Sequence, residues 1–123
     1  MVAPIFKVCA ASPAVTALLG ESPTRLYPFG EAPEKVAKPY AVWQVISGSP
    51  LNFVNGIPDT DRYGLQVDIY GDTGASVEAV ATAIRTAIAK RAYVTAFNVE
   101  GKDPETHSYR KSFDVGWLVQ ANN

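Results

Sequence analysis

This chain contains only one cysteine and one histidine, and it has no large excess of positive or negative charge. Cys9 is the only cysteine among 123 residues, so neither an intramolecular disulfide nor a cysteine-rich zinc site can form. Eleven Lys and Arg against twelve Asp and Glu give no electrostatic reason to expect nucleic acid or an anionic membrane surface as a partner. No stretch approaches the roughly 20 apolar residues of a membrane span.

Catalytic and ligand-binding motifs are also missing. His107 is the only histidine, and no G-x-S-x-G element accompanies it, so we interpret it as a loop residue. Asp59, Asp61 and Asp72 lack the dense oxygen ligands of a calcium loop and are interpreted as turn residues. Gly71–Gly74 lacks both common phosphate-loop patterns. The sequence therefore predicts no catalytic residue, no metal site and no cofactor site.

Two acidic residues, Asp68 and Asp114, fall in the middle of predicted strands, where carboxylates are disfavoured. We expect each to lie on a solvated face opposite a basic group such as Arg62, Arg110 or Lys111. The alternative is a carboxylate pair for acid–base catalysis, but no histidine or metal cluster accompanies it.

Length and composition predict one domain over residues 1–123, since 47% apolar residues are enough for a single core. Residues 4–19 carry two helix-start signals and predict a helical N-terminus. Residues 20–39 hold four prolines and predict a loop with at most a short edge strand at 24–27. Residues 40–120 predict a sheet plus one long helix over 75–91.

The fold class predicted from this order is α+β, with an antiparallel or mixed β-sheet, helices packed on one face and one long helix in the C-terminal half. Alternation of apolar and polar residues is clearest in the strand at 63–70 and in the long last strand. The unit from 63 to 99 is compatible with a crossover connection. The predicted main strands are 40–47, 63–70, 94–99 and 109–120.

Apolar residues also occur where a single core does not require them. Tyr40–Ser47 is apolar on both faces, which indicates an interior strand or an edge covered by a partner. Ser49–Arg62 is rich in turn residues, yet it contains four large apolar side chains, which predicts an arm or hairpin packing on a neighbouring protein. The interface candidates are Leu51, Phe53, Val54, Ile57 and Trp43.

Several short motifs occur in an order typical of one family. These are Leu26-Tyr27-Pro28, Ala32-Pro33, the run Pro39 to Pro50, Gln66-Val67-Asp68-Ile69-Tyr70-Gly71, an alanine-rich helix, and Tyr109 to Val115. Over roughly residues 20–120 the chain resembles the tail-completion, or tail-terminator, family of siphophages, whose members are head–tail joining structural proteins.

The resemblance implies a homo-oligomeric ring, usually a hexamer, at the head-proximal end of the tail tube in the virion. Its partners would be further copies of itself, the tail tube protein and the head–tail connector protein, after assembly in the host cytoplasm. It implies no reaction and no cofactor. The alternative from the residues is a small-molecule-binding regulatory α+β module that acts as a dimer, and a small enzyme is the third possibility.

Overall fold

Two short helices open the chain, as the sequence predicts. In the computed structural model, which describes residues 3–51 and 60–120, α1 spans Ile5–Ala10 and α2 spans Pro13–Leu19. The hydroxyl of Ser12 accepts a hydrogen bond from the Val15 amide at 3.4 Å and caps α2. Gly20 ends α2 with a φ of +82°, a left-handed conformation that favours glycine.

The remainder forms a five-stranded mixed sheet and one long helix. The spatial strand order is β1-β2-β3-β5-β4, in which β1 runs parallel to β2 and all other neighbours are antiparallel. The predicted α+β class is therefore confirmed. The elements are β1 (Leu26–Pro28), β2 (Tyr40–Leu51), β3 (Thr60–Gly71), α3 (Gly74–Ile88), β4 (Ala92–Lys102) and β5 (Tyr109–Gln120).

The predicted boundaries of β2 and β3 were too short. β2 continues past Ser47 through Pro50 to Leu51, and β3 begins at Thr60 instead of residue 63. Proline is tolerated on a strand whose outer edge is open, because that edge requires no ladder hydrogen bond. β1 pairs with β2 only at Ala41–Trp43, so the edge near Pro50 has no such requirement.

The boundary between α3 and β4 also differs from the prediction. α3 ends at Ile88 instead of residue 91, because the chain turns there and the Arg91 amide donates to the Ile88 carbonyl at 2.9 Å. β4 then starts at Ala92, paired with Trp117, and runs to Lys102, well beyond the predicted 94–99. Pairing with the long β5 strand extends β4 at both ends.

The crossover from β3 through α3 to β4 is present, with β5 between the two strands it connects. β3 and β4 are therefore parallel to each other, and both are antiparallel to β5. α3 packs on the sheet, and α1 and α2 pack on α3. The threonine hydroxyl of Thr73 caps α3 by accepting from the Ser76 amide at 3.0 Å.

The core lies between the sheet and these helices. Alternate residues of β3 and β5 point into it, and the apolar stripe of α3 covers them. None of the described helices is long and apolar enough to cross a membrane. The central buried residues are Leu65, Val67, Ile69, Phe113, Val115, Trp117, Val77, Val80, Ala81, Ile84 and Ile88.

Candidate assembly surface

Two of the five predicted interface residues, Trp43 and Leu51, lie on β2. Leu51 is the last residue of β2, whereas Phe53, Val54 and Ile57 lie outside the described residues. Trp43 is half-buried in β2 and packs against the core. Its indole Nε1 is buried without a hydrogen-bond partner among the described residues.

The β2–β3 hairpin continues beyond the level at which β4, the strand at the opposite border of the sheet, begins. β4 begins at Ala92, opposite Trp117, so the final rungs from Leu118 to Gln120 contain only β5, β3 and β2. The last pair that β2 and β3 make is Leu51 with Thr60. β2 and β3 therefore stay paired with each other up to Leu51 and Thr60, at a narrow, three-stranded end of the sheet.

The sheet face opposite the helices carries paired polar groups. Asp68 is buried and accepts from Arg110 Nη2 at 2.9 Å and from Gln66 Nε2 at 3.2 Å. The hydrogen bond to Asp68 raises the pKa of the Arg110 guanidinium. Asp114 accepts from Asn98 Nδ2 at 2.8 Å and has no basic partner among the described side chains. The expected pairing of Asp68 with a basic group is confirmed, whereas that of Asp114 is wrong.

Lys111, also predicted to face these acids, lies on the helix side instead. Its Nζ is 3.1 Å from a carboxylate oxygen of Glu78 on α3 and 3.5 Å from one of Glu100 on β4. The hydrogen bond to Glu78 is the main reason that the pKa of Lys111 is raised. Lys111 and Arg85 both lie within 6 Å of the Phe97 ring centre, so two cations border this largely exposed aromatic side chain.

A pair of glycines forms a depression on the face opposite the helices. Gly64 and Gly116 are direct cross-strand partners. The Tyr93 ring lies over Gly116, where an added Cβ would be 2.8 Å from the ring, and Ser47 lies over Gly64. The depression has a volume of about 320 Å³. Ile46, which lines the depression, and Tyr93, which lies over Gly116, are each about half exposed.

A larger groove of about 620 Å³ runs between α3 and the first residues of β4. Arg85 is the one charged side chain that lines it, and the other lining residues are uncharged: Thr82, Thr86, Ile88, Ala89, Ala92, Tyr93 and Val94. The groove borders the outer edge of β4, with which no described strand is paired.

The chain matches the family model of the tail completion protein gp17 over residues 3–120. It belongs to the tail completion protein family. The protein is accordingly a structural component of a phage tail and is associated with the virion. No curated protein matches the chain.

The fold of this tail completion protein is also found in a solved virion. A chain of the virion of a native gene transfer agent particle superimposes with a TM-score of 0.61, over 95% of this chain and 92% of that chain. Sequence identity between the two is 14%, so the likeness concerns the fold alone.

His107 and Asp72 do not line the groove beside β4 or the depression at Gly64 and Gly116. His107 adopts a φ of +60° in the β4–β5 turn, and its amide donates to the Asp103 carbonyl at 2.9 Å. Lys38 Nζ donates to the Ser108 hydroxyl and is 3.8 Å from the exposed carboxylate of Asp72. Within residues 3–51 and 60–120, no group of three His, Cys, Asp or Glu side chains is placed to hold a metal ion.

Cys9 is fully buried, as free cysteines commonly are. Burial raises the pKa of its thiol to about 12, so the thiol stays protonated at neutral pH. The groove beside β4 and the glycine pair were not found from the sequence. Both depend on which strands become neighbours, and local patterning does not specify the position of β5 between β3 and β4.

Proposed function

We propose that this tail completion protein forms a closed ring, of six copies, on the head-proximal end of the tail tube. The ring stops further addition of tube protein and presents a surface to the head–tail connector protein. It catalyses no reaction and takes no cofactor. The observation that carries the proposal is the family match across residues 3–120.

Charge and surface composition support an assembly role. The net charge of −1 gives little protection against self-association. Large apolar side chains stay exposed on the strands that border the sheet, and a protein that remains alone in water rarely groups such residues. These are Val45 and Ile46 on β2, and Tyr93, Phe97 and Val99 on β4.

The segment between β2 and β3 is assigned a role in the same assembly. Leu51, Phe53, Val54 and Ile57 form an apolar arm that packs on the adjacent subunit or on the tail tube. The paired hairpin that ends at Leu51 and Thr60 supports this assignment, because it holds both ends of the segment at the narrow end of the sheet. Exposed apolar area costs roughly 25 cal/mol per Å² in water, so a neighbour that covers the arm stabilises the assembly.

The size of the assembly tests the ring directly. Six copies of the 13.2 kDa chain have a mass of about 79 kDa (6 × 13.2). Light scattering and native mass spectrometry of the purified chain, alone and with purified tail tubes, should detect this species or a monomer that becomes a ring on the tubes. A strict dimer under both conditions contradicts the proposal and favours the regulatory-module alternative.

The arm is tested by replacing Leu51, Phe53 and Val54 with Ser together. We expect the isolated domain to fold, whereas ring formation or attachment to tails is lost. Replacing Phe6 with Ser serves as the control, because Phe6 is an exposed apolar residue on α1 and not on the hairpin. A triple variant that no longer folds as a monomer would assign these side chains to the internal core, and one that assembles normally would place the interface elsewhere.

A further inference from the structure

The two borders of the sheet both present unpaired backbone. β1 pairs with β2 only at Ala41–Trp43, so no described strand pairs with the outer edge of Gln44–Gly48. At the opposite border, no described strand pairs with the outer edge of β4. Open edges expose backbone N–H and C=O groups that readily pair with another strand. Neither Gln44–Gly48 nor the first half of β4, Ala92–Ala96, contains a lysine or proline to block such pairing.

The directions of the two open edges are compatible with each other. β2 is antiparallel to β3, β3 to β5, and β5 to β4. β2 is consequently antiparallel to β4. A second copy placed beside the first, in the same orientation, would continue the alternation without a break. Such a contact joins two different surfaces of the same chain, which is the head-to-tail arrangement that closes rings.

Exposed side chains on the two edges also lie at the same level along the strands and on the same face of the sheet. Along one rung of the sheet, Val45 pairs with Leu65, Leu65 with Val115, and Val115 with Val94, so both valines are on the helix side. Val45 is 42% exposed, and none of the described strands lies on the outer edge of this part of β2. In a second copy at the same level, Val45 would enter the groove beside Val94.

The opposite face shows the same correspondence. Ser47, Gly64, Gly116 and Tyr93 form one rung, and Ile46 precedes Ser47 at a bulge. Ile46 and Tyr93 are each about half exposed. Pairing of the two edges brings the Ile46 side of one copy against Tyr93 of the next. The bulge bends its strand, as a sheet that curves around a ring requires.

The position of β1 limits how much of β4 can pair with β2 of a neighbouring copy. Phe97 lies level with Trp43, where β1 already occupies the outer edge of β2. Only Ala92–Ala96 therefore has an open partner segment at its own level. The groove of about 620 Å³ borders this same first half of β4 and leaves room for the side chains of an added strand.

From these observations, we propose that neighbouring copies join edge to edge, with Gln44–Gly48 of one copy paired antiparallel to Ala92–Ala96 of the next and Val45 seated in the groove between α3 and β4. This inference rests on the proposed ring and names the surfaces that form it. The occupant of the groove is a second copy of this chain.

Two variants block one edge each. Thr86→Trp fills the groove from an exposed helix position, and Val45→Lys places a charge on the strand that enters it. The controls are Ala79→Trp, exposed on the same helix outside the groove, and Val99→Lys, on the half of β4 that lies level with β1. Circular dichroism and thermal melting verify folding, and Thr86→Lys and Val45→Asp replace either variant that does not fold.

Native mass spectrometry is then carried out under the conditions in which the unmodified chain forms a ring. Each blocked variant alone is expected as a 13.2 kDa monomer, whereas both controls form rings. A mixture of the two blocked variants retains one intact edge of each kind and is expected to give a dimer of about 26 kDa (2 × 13.2).

Three results separate the possible failures. If both blocked variants still form rings, the edge pairing is wrong and the ring proposal stands. If both are monomers and their mixture stays monomeric, the contact is not head-to-tail between these edges, and the inference is overturned. If the unmodified chain forms no ring even on tail tubes, the proposed function itself fails.

Discussion

The two faces of the central strands β3 and β5 differ in what they present. Towards the helices, these strands present Leu65, Val67 and Phe113, all fully buried under α3. Towards the other side, they present an ion pair between the buried Asp68 and the partly exposed Arg110, and several small or exposed groups. The helix face supplies most of the apolar burial that stabilises the domain. The opposite face and the two sheet borders contribute less of this apolar burial. Their side chains are therefore available to contact other proteins.

The largest effect on folding is expected from a charge placed on the core side of α3. Ile84 is fully buried at the centre of the helix stripe, and Ile84→Asp should abolish folding. An unpaired buried carboxylate costs several kcal/mol, on the order of the total stability of a domain. Circular dichroism should show no cooperative melt, whereas Thr82→Asp, at an exposed position of the same helix, should melt cooperatively. A soluble, cooperatively melting Ile84→Asp would show that this face is not the core.

A smaller effect on the helix side is expected from Gly71→Ala. A Cβ at Gly71 would be 2.9 Å from Val77 Cγ1, and Val77 is itself buried. Overpacking of this kind should lower the free energy of unfolding by about 1–3 kcal/mol in urea titrations. Gly101→Ala is the matched control, since nothing lies within 4 Å of its added Cβ. Equal stability of the two variants would contradict the tight packing of α3 on the end of β3.

On the opposite face, Asp68→Ala should have a moderate effect. The change removes the acceptor of Arg110 and Gln66, but the Arg110 side chain is 39% exposed and can be solvated. We expect a loss of about 1–2 kcal/mol in the free energy of unfolding. Asp114→Ala, whose partner Asn98 is exposed, should cost about 0.5 kcal/mol or less. A larger loss at Asp114 than at Asp68 would reverse this ranking of the two carboxylates.

The smallest effects on function are expected at the loop residues Asp72 and His107. Asp72→Ala removes only a 3.8 Å exposed ion pair with Lys38, and His107→Ala changes a residue with no assigned chemistry. At the φ of +60° of His107, alanine costs at most about 1–2 kcal/mol. Phage production in a complementation assay should be unchanged for both. Loss of production by a folded variant would favour the catalytic or ligand-binding alternatives.

Much of the fold could be predicted because local patterns and burial agree. The alternation Leu65, Val67, Ile69 and the helical stripe that contains Ile84 are both core faces in the structure. Turn chemistry was equally informative at Ser12 and Gly20, which begin and end α2. These signals are local, and the surrounding structure did not override them.

What could not be predicted depends on contacts between distant parts of the chain. The predicted strand 40–47 was too short, because β2 accommodates Pro50 at a level that the short β1 does not reach. Lys111 was expected beside Asp68, but strand alternation places it on the helix side, where Glu78 binds it. The groove that receives Val45 in the proposed interface exists only because β5 pairs between β3 and β4. Strand order and register are properties of the whole sheet.

The central claim, a ring at the head-proximal end of the tail, is tested most directly by locating the chain in the particle. Virions that carry a labelled copy would be imaged by cryo-electron microscopy. We predict a single ring of label in each virion, where the tail tube meets the head connector. Label distributed along the tube, confined to the distal tip, or absent from the virion would contradict the account.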